Sequence, residues 1–168
     1  FVMIKMVATL IAAAISSATM AESILWQNVP KGMAYSDVQT LYPASAGVVH
    51  KPASIGLKHF QITEKCEGRV NIRFEKGSVV SVDIEAPLGY KAWKNDTDCD
   101  RIILNALTRK YGDPNRSLRE VTPGPLIDTK EKKYVWVTEQ GTDIRLELSN
   151  MDPQFTITYT AASTDSAL

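Results

Sequence analysis

The chain has 168 residues, 44% of them apolar and 23% charged, with 19 basic against 19 acidic side chains. That composition suits one medium domain, or two small ones sharing a core, and excludes wholesale disorder. The charge balance gives no bulk electrostatic basis for binding nucleic acid or an anionic membrane surface.

Residues 1–21 read as an export signal. Lys5 is the only charge before Glu22, the run Met6 to Ile15 is apolar, and Ser16 to Ala21 are mostly small residues. The apolar run is short for a membrane span, and cleavage is expected after Ala18 or Ala21. Met3 is the expected start, behind Phe1 and Val2. No Cys lies near the cleavage region to accept a lipid. The mature chain, beginning between Thr19 and Glu22, is therefore expected to be soluble, periplasmic or secreted, with no membrane anchor. Losing residues 1–21 leaves 18 basic and 19 acidic residues, a net charge of −1.

Ser36 and Gln39 have capping-box spacing, and Val38, Leu41 and Tyr42 form an apolar stripe that Pro43 ends. A short helix follows from that pattern. Phe60, Ile62 and Cys66 share one parity and predict a strand ending near Cys66. Val70, Ile72 and Phe74, then Val80, Val82 and Ile84, alternate with polar residues as two half-buried strands. A three-residue loop, Glu75-Lys76-Gly77, would pair Ile72 with Val80 and keep apolar opposite apolar.

Ala86 to Lys94 reads as a linker. Asn95, Asp96 and Thr97 offer cap oxygens to a second helix, with Cys99, Ile102, Ile103, Ala106, Leu107 and Tyr111 at helical spacing. Gly112 supplies its left-handed cap and Pro114 its stop. Thr122 to Thr129 is a Pro-rich loop, and Lys130 to Lys133 a solvated approach to a strand. Tyr134 and Trp136 then lead into the loop Glu139-Gln140-Gly141, and Ile144, Leu146 and Leu148 leave it, which pairs Trp136 with Ile144. Phe155, Ile157 and Tyr159 mark a last strand.

Offset by 64 residues, VNIRFEKGSVVSVDIE lies on YVWVTEQGTDIRLELS without a gap. The pattern predicts an α+β fold of two tandem helix–strand–strand–strand repeats, 22–92 and 93–161, with 162–168 a flexible tail. The two repeats would share one antiparallel sheet with both helices on one face. Cys66 and Cys99 are expected to form a disulfide in an oxidising compartment; the alternative is two free buried thiols.

Residues 32–43, GMAYSDVQTLYP, place Gly32, Met33, Val38 and Leu41 in the spacing of a known first helix. This motif resembles the SmpA/OmlA lipoproteins of the barrel-assembly machine, and the duplicated layout with a disulfide resembles the β-lactamase inhibitory protein-like superfamily. The resemblance implies a related fold and action by binding other proteins. The chain departs from those relatives in having no lipid-anchor Cys and one candidate disulfide.

Several constellations fail as sites. Asp96, Asp98 and Asp100 imitate a calcium loop, but Arg101 and Leu107 stand where Gly and an acid are needed. His50 and His59 have no partners at ligand spacing, so neither a metal nor a cofactor is expected. No G-x-S-x-G, H-E-x-x-H or P-loop occurs, and the chain is expected not to be an enzyme. Two surfaces remain. The wet face of the sheet carries Arg73, Asp83, Arg145 and Glu147 and suits a protein partner in the cell envelope. The alternative is an aromatic edge at Tyr90 and Trp93, with Lys91 and Lys94, for an envelope lipid or glycan.

Overall fold

A computed structural model describes residues 24–64, 66–87, 99–151 and 154–161. A two-stranded hairpin, β1 (Ile24–Trp26) with β2 (Val29–Pro30), precedes helix α1 (Tyr35–Leu41). Strands β3 (Val48–Lys51), β4 (Ser54–Thr63), β5 (Cys66–Glu75) and β6 (Ser78–Pro87) follow. Helix α2 (Cys99–Tyr111) leads to β7 (Arg116–Thr122), β8 (Thr129–Val137), β9 (Thr142–Ser149) and β10 (Gln154–Ala161). All eight strands after the hairpin form one antiparallel sheet in the order β3-β4-β5-β6-β10-β9-β8-β7.

This corrects the expected α+β architecture of helix–strand–strand–strand repeats. The described chain is dominated by its eight-stranded sheet, with only two helices, of 7 and 13 residues. Each helix is followed by four strands rather than three; β3 and β7 give no usable sequence signal. Strand β3 has four residues, and all seven residues of β7 are exposed, so neither shows a buried-exposed alternation. Strand β4 ends at Thr63, so Cys66 opens β5 rather than closing the strand before it.

The two hairpins also differ in their turns. Trp136 pairs with Ile144 as the parity requires, around Glu139-Gln140-Gly141, and Gly141 has φ 73°. The first hairpin turns instead on Lys76 and Gly77, at φ 50° and 78°, so Glu75 pairs with Ser78. That two-residue turn would set apolar against polar, but a bulge at Val80 restores the parity. Phe74 pairs with Val79 and Ile72 with Val82, not with Val80. Val79 and Val82 are both buried.

Helix α1 starts earlier than its capping box implies. Its N-cap is Ala34, without a side-chain cap. Backbone pairing to the β5–β6 turn fixes the entry instead: Tyr35 N–H donates to the Gly77 carbonyl (2.9 Å) and Val79 N–H to that of Met33 (3.0 Å). Ser36 therefore lies inside the helix, and the Gln39 amide donates to His50 Nδ1 (3.2 Å). His50 Nε2–H in turn donates to the Tyr42 carbonyl (2.8 Å), which ties β3 to the end of α1. Val38 is buried, but Leu41 is exposed.

One apolar core spans the inner sheet face, with Val38 from α1 and Cys99, Ile103 and Leu107 from α2. Trp26 joins it from β1, edge-on to Phe60 with ring centroids 5.1 Å apart. The Cys66–Cys99 disulfide forms as expected, joining the first residues of β5 and α2 with Cα atoms 5.6 Å apart. At the other end of α2, Gly112 takes the left-handed cap (φ 81°) and its carbonyl accepts a hydrogen bond from Trp136 Nε1 (2.9 Å). The helix is thus held at both ends. The expected caps Asn95, Asp96 and Thr97 lie outside the described residues.

Tyr159 is 7% exposed on the inner face. Burial pushes its phenol well above the ordinary tyrosine pKa, and repulsion from Tyr111 adds to the shift. The phenol stays neutral when folded, whereas the unfolded chain ionises near about pH 10. This contribution to stability is intact below about pH 10 and falls at higher pH, by up to about 1.4 kcal/mol per unit. Tyr159→Phe should remove that component. The difference in urea unfolding free energy between wild type and variant should be flat to about pH 10 and shrink above it. A difference that stays constant through that range rejects the assignment.

Candidate functional site

The outer face of the sheet is polar and continuous. Strand pairing aligns its side chains in rows that cross the strands. One row runs Asn71, Asp83, Thr158, Arg145, Val135, Arg116. The row beside it runs Arg73, Ser81, Thr160, Asp143, Val137, and a third runs Arg69, Glu85, Thr156, Glu147, Lys133, Leu118. The threonines of β10 fill the middle, and the charges lie to either side.

Arg73, Asp83, Arg145 and Glu147 therefore share one face, as expected, but not one spot. Arg73 and Arg145 are three strand spacings apart, about 14 Å. The two arginines also differ in what they already hold. Arg73 Nε lies 2.7 Å from Asp83 Oδ2 and 2.8 Å from Ser81 Oγ, and its Nη2 lies 3.4 Å from Asp83 Oδ1. Its guanidinium is engaged by its own sheet. Arg145 Nη2 stands 3.8 Å from Asp143 Oδ2, too far for a hydrogen bond. Tyr90 and Trp93 lie outside the described residues.

Around Arg145 the face is concave. Arg116, Lys133, Arg145 and Glu147 surround a recess of about 330 Å³, with Leu118, Val135 and Val137 as apolar lining. Asp143 also lines it and is 6% exposed. Its Oδ1 is buried and has no hydrogen-bond partner. Buried polar atoms are nearly always paired, and leaving one unpaired costs about 1–3 kcal/mol. Nothing in the pattern of residues marks Asp143, which sits at a polar position of its strand and is set apart only by its burial. Arg116 and Leu118 were hidden because β7 was not foreseen.

The other candidates have structural roles or none. His59 Nδ1 lies 2.6 Å from Glu67 Oε1 at an exposed bulge of β4. Among the described residues no group of three or more His, Cys, Asp or Glu could hold a metal ion. No described helix is long and apolar enough to cross a membrane.

No protein-family model, curated protein or solved structure matches the chain.

Proposed function

We propose that the chain is an exported, non-catalytic binding module of the bacterial envelope that takes a protein partner on its polar sheet face. The observation that carries this reading is Asp143, a buried carboxylate with an unpartnered oxygen in a recess, whose other oxygen is only loosely paired with Arg145 at 3.8 Å. Such an arrangement costs folding stability and suits a surface completed by a second molecule. The recess fits a partner segment that places an acid against Arg145 and an apolar side chain on Val135 and Val137. A donor on that segment would satisfy Asp143 Oδ1.

Export is supported by the Lys5, apolar-run and small-residue pattern and by the buried disulfide, which persists in oxidising compartments. The weak resemblance of residues 32–43 to protein-binding envelope lipoproteins points the same way. No described residue carries the alternative, a lipid or glycan held at Tyr90 and Trp93.

The test uses the mature chain as bait in periplasmic extract, followed by affinity measurement with the captured protein. Arg145→Ala is expected to weaken binding about tenfold, and Arg73→Ala less, because Asp83 and Ser81 already occupy Arg73. Asp143→Val should raise the unfolding free energy by about 1–2 kcal/mol while also weakening the partner. A captured protein that binds the Arg145 and Asp143 variants as tightly as wild type defeats the sheet-face reading.

A further inference from the structure

The opposite face of the sheet holds a second, larger concavity beneath α2. It has a volume of about 700 Å³, within the range of small-molecule sites at roughly 300–1,000 Å³. Ile103 and Leu107 line it from the helix, Ile144 and Ile157 from the sheet, and Trp26 and Phe60 close one wall. Protein cores pack at crystal-like density, with few voids larger than a water molecule. This concavity is an open cleft rather than an internal void, since Ile103, Ile144 and Ile157 on its lining are at most 2% exposed and close-packed. Its roof is fixed, because α2 is tied to β5 by Cys66–Cys99 and to β8 by Trp136 Nε1–H on the Gly112 carbonyl. The site is therefore preformed, which lowers the entropic cost of filling it.

The chemistry of the lining selects the ligand. Among the described lining residues Lys110 is the only charged one. Its Nζ lies 5.0 Å from the centroid of the Tyr111 ring, and it pairs with no carboxylate among the described residues. A mainly apolar open cleft, with glutamines and threonines at its rim and one cation on its lining, fits an apolar chain ending in one negative group. The lining residues of α2 run from Ile103 to Tyr111, about 12 Å along the helix, the scale of an extended medium-length acyl chain. We infer that the cleft beneath α2 is a binding site for a single-chain anionic amphiphile of the fatty-acid class, with the chain under the helix and the carboxylate at Lys110. The site lies across the sheet from the Arg145 recess and does not depend on the sheet-face reading.

The test uses the delipidated mature chain and displacement of a fluorescent fatty acid by dodecanoate, tetradecanoate, hexadecanoate and the matching alcohols. Saturable binding is expected, with affinity rising up to about fourfold per added methylene until the cleft is filled. Each carboxylate should bind more tightly than its alcohol. Lys110→Gln should cost the carboxylates about fivefold and leave the alcohols unchanged. Ala106 is an exposed residue of α2 that lines the cleft, so Ala106→Trp should fill the space and abolish binding. A diazirine-bearing fatty acid should crosslink wild-type protein at α2 and β9, which checks the site without any substitution. Absence of saturable binding, crosslinks confined to other elements, or unaltered affinity in a folded Ala106→Trp variant would overturn the site. Equal affinity for carboxylate and alcohol would overturn the anionic class.

Discussion

Replacing Cys66 and Cys99 together by alanine is expected to lower the unfolding free energy by about 3–4 kcal/mol. The bond closes a loop between residues 33 apart in sequence, and chain entropy in the unfolded state sets that scale. It also joins the first residues of two elements far apart in sequence. Both cysteines are fully buried, so alanine is the better replacement; a serine hydroxyl would be desolvated there. Urea unfolding of wild type and the double variant, both monitored by far-UV circular dichroism, measures the loss. The m-value should rise as well, because an unfolded chain without the crosslink exposes more surface. A loss below about 1 kcal/mol would mean that the folded state without the bond relaxes or that its unfolded chain keeps α2 near β5. Because the sulfurs are shielded, a small thiol should reduce the bond in native protein only as fast as the protein opens.

That pairing was readable from the sequence because Cys99 falls on the apolar stripe of a well-marked helix and Cys66 shares parity with strand residues. The Trp136–Ile144 register was readable for a similar reason, since a three-residue loop ending in Gly141 keeps both apolar sets on one face. The same reasoning failed at Lys76 and Gly77. Parity fixes only whether pairing numbers sum to odd or even, and a two-residue turn with a bulge meets the same condition as a three-residue loop. The α1 capping box failed because tertiary backbone pairing at Met33 and Tyr35 fixed the helix start before any side-chain cap could. Strand β7 was invisible because it is an edge strand exposed on both faces, where alternation has no cause. The polar face could be drawn from parity alone, but its functional emphasis could not. Arg73 and Arg145 look equivalent in sequence, and only the fold shows that one is held by Asp83 and Ser81 while the other stands beside a buried, half-unpartnered carboxylate.

Trp136→Ala should be the most damaging single substitution in the described core outside the disulfide, at about 3–5 kcal/mol. Trp136 is 1% exposed and is among the largest fully buried side chains. Its indole serves two purposes, filling the space between β8 and the end of α2 and donating to the Gly112 carbonyl. Trp136→Phe separates them, since it keeps an aromatic ring but loses the bond to the exposed Gly112 carbonyl, which water can then take, for about 0.5–1.5 kcal/mol of the total. Urea unfolding gives the two costs, and amide exchange shows where they fall. Losing the bond should speed exchange in the last turn of α2 more than in β9, whose pairing with β10 is untouched. Uniform loss of protection across helix and sheet would mean that Trp136 acts only as bulk packing. The two pins of α2, Cys99 and Gly112, are about 20 Å apart along the helix, beyond the range at which separate sites usually couple. If Trp136→Phe and loss of the disulfide nevertheless cost more together than separately, α2 must leave the sheet as one unit once either end is freed. Additive costs would show instead that packing of Ile103 and Leu107 holds the helix down between its ends, even beside so large a cleft.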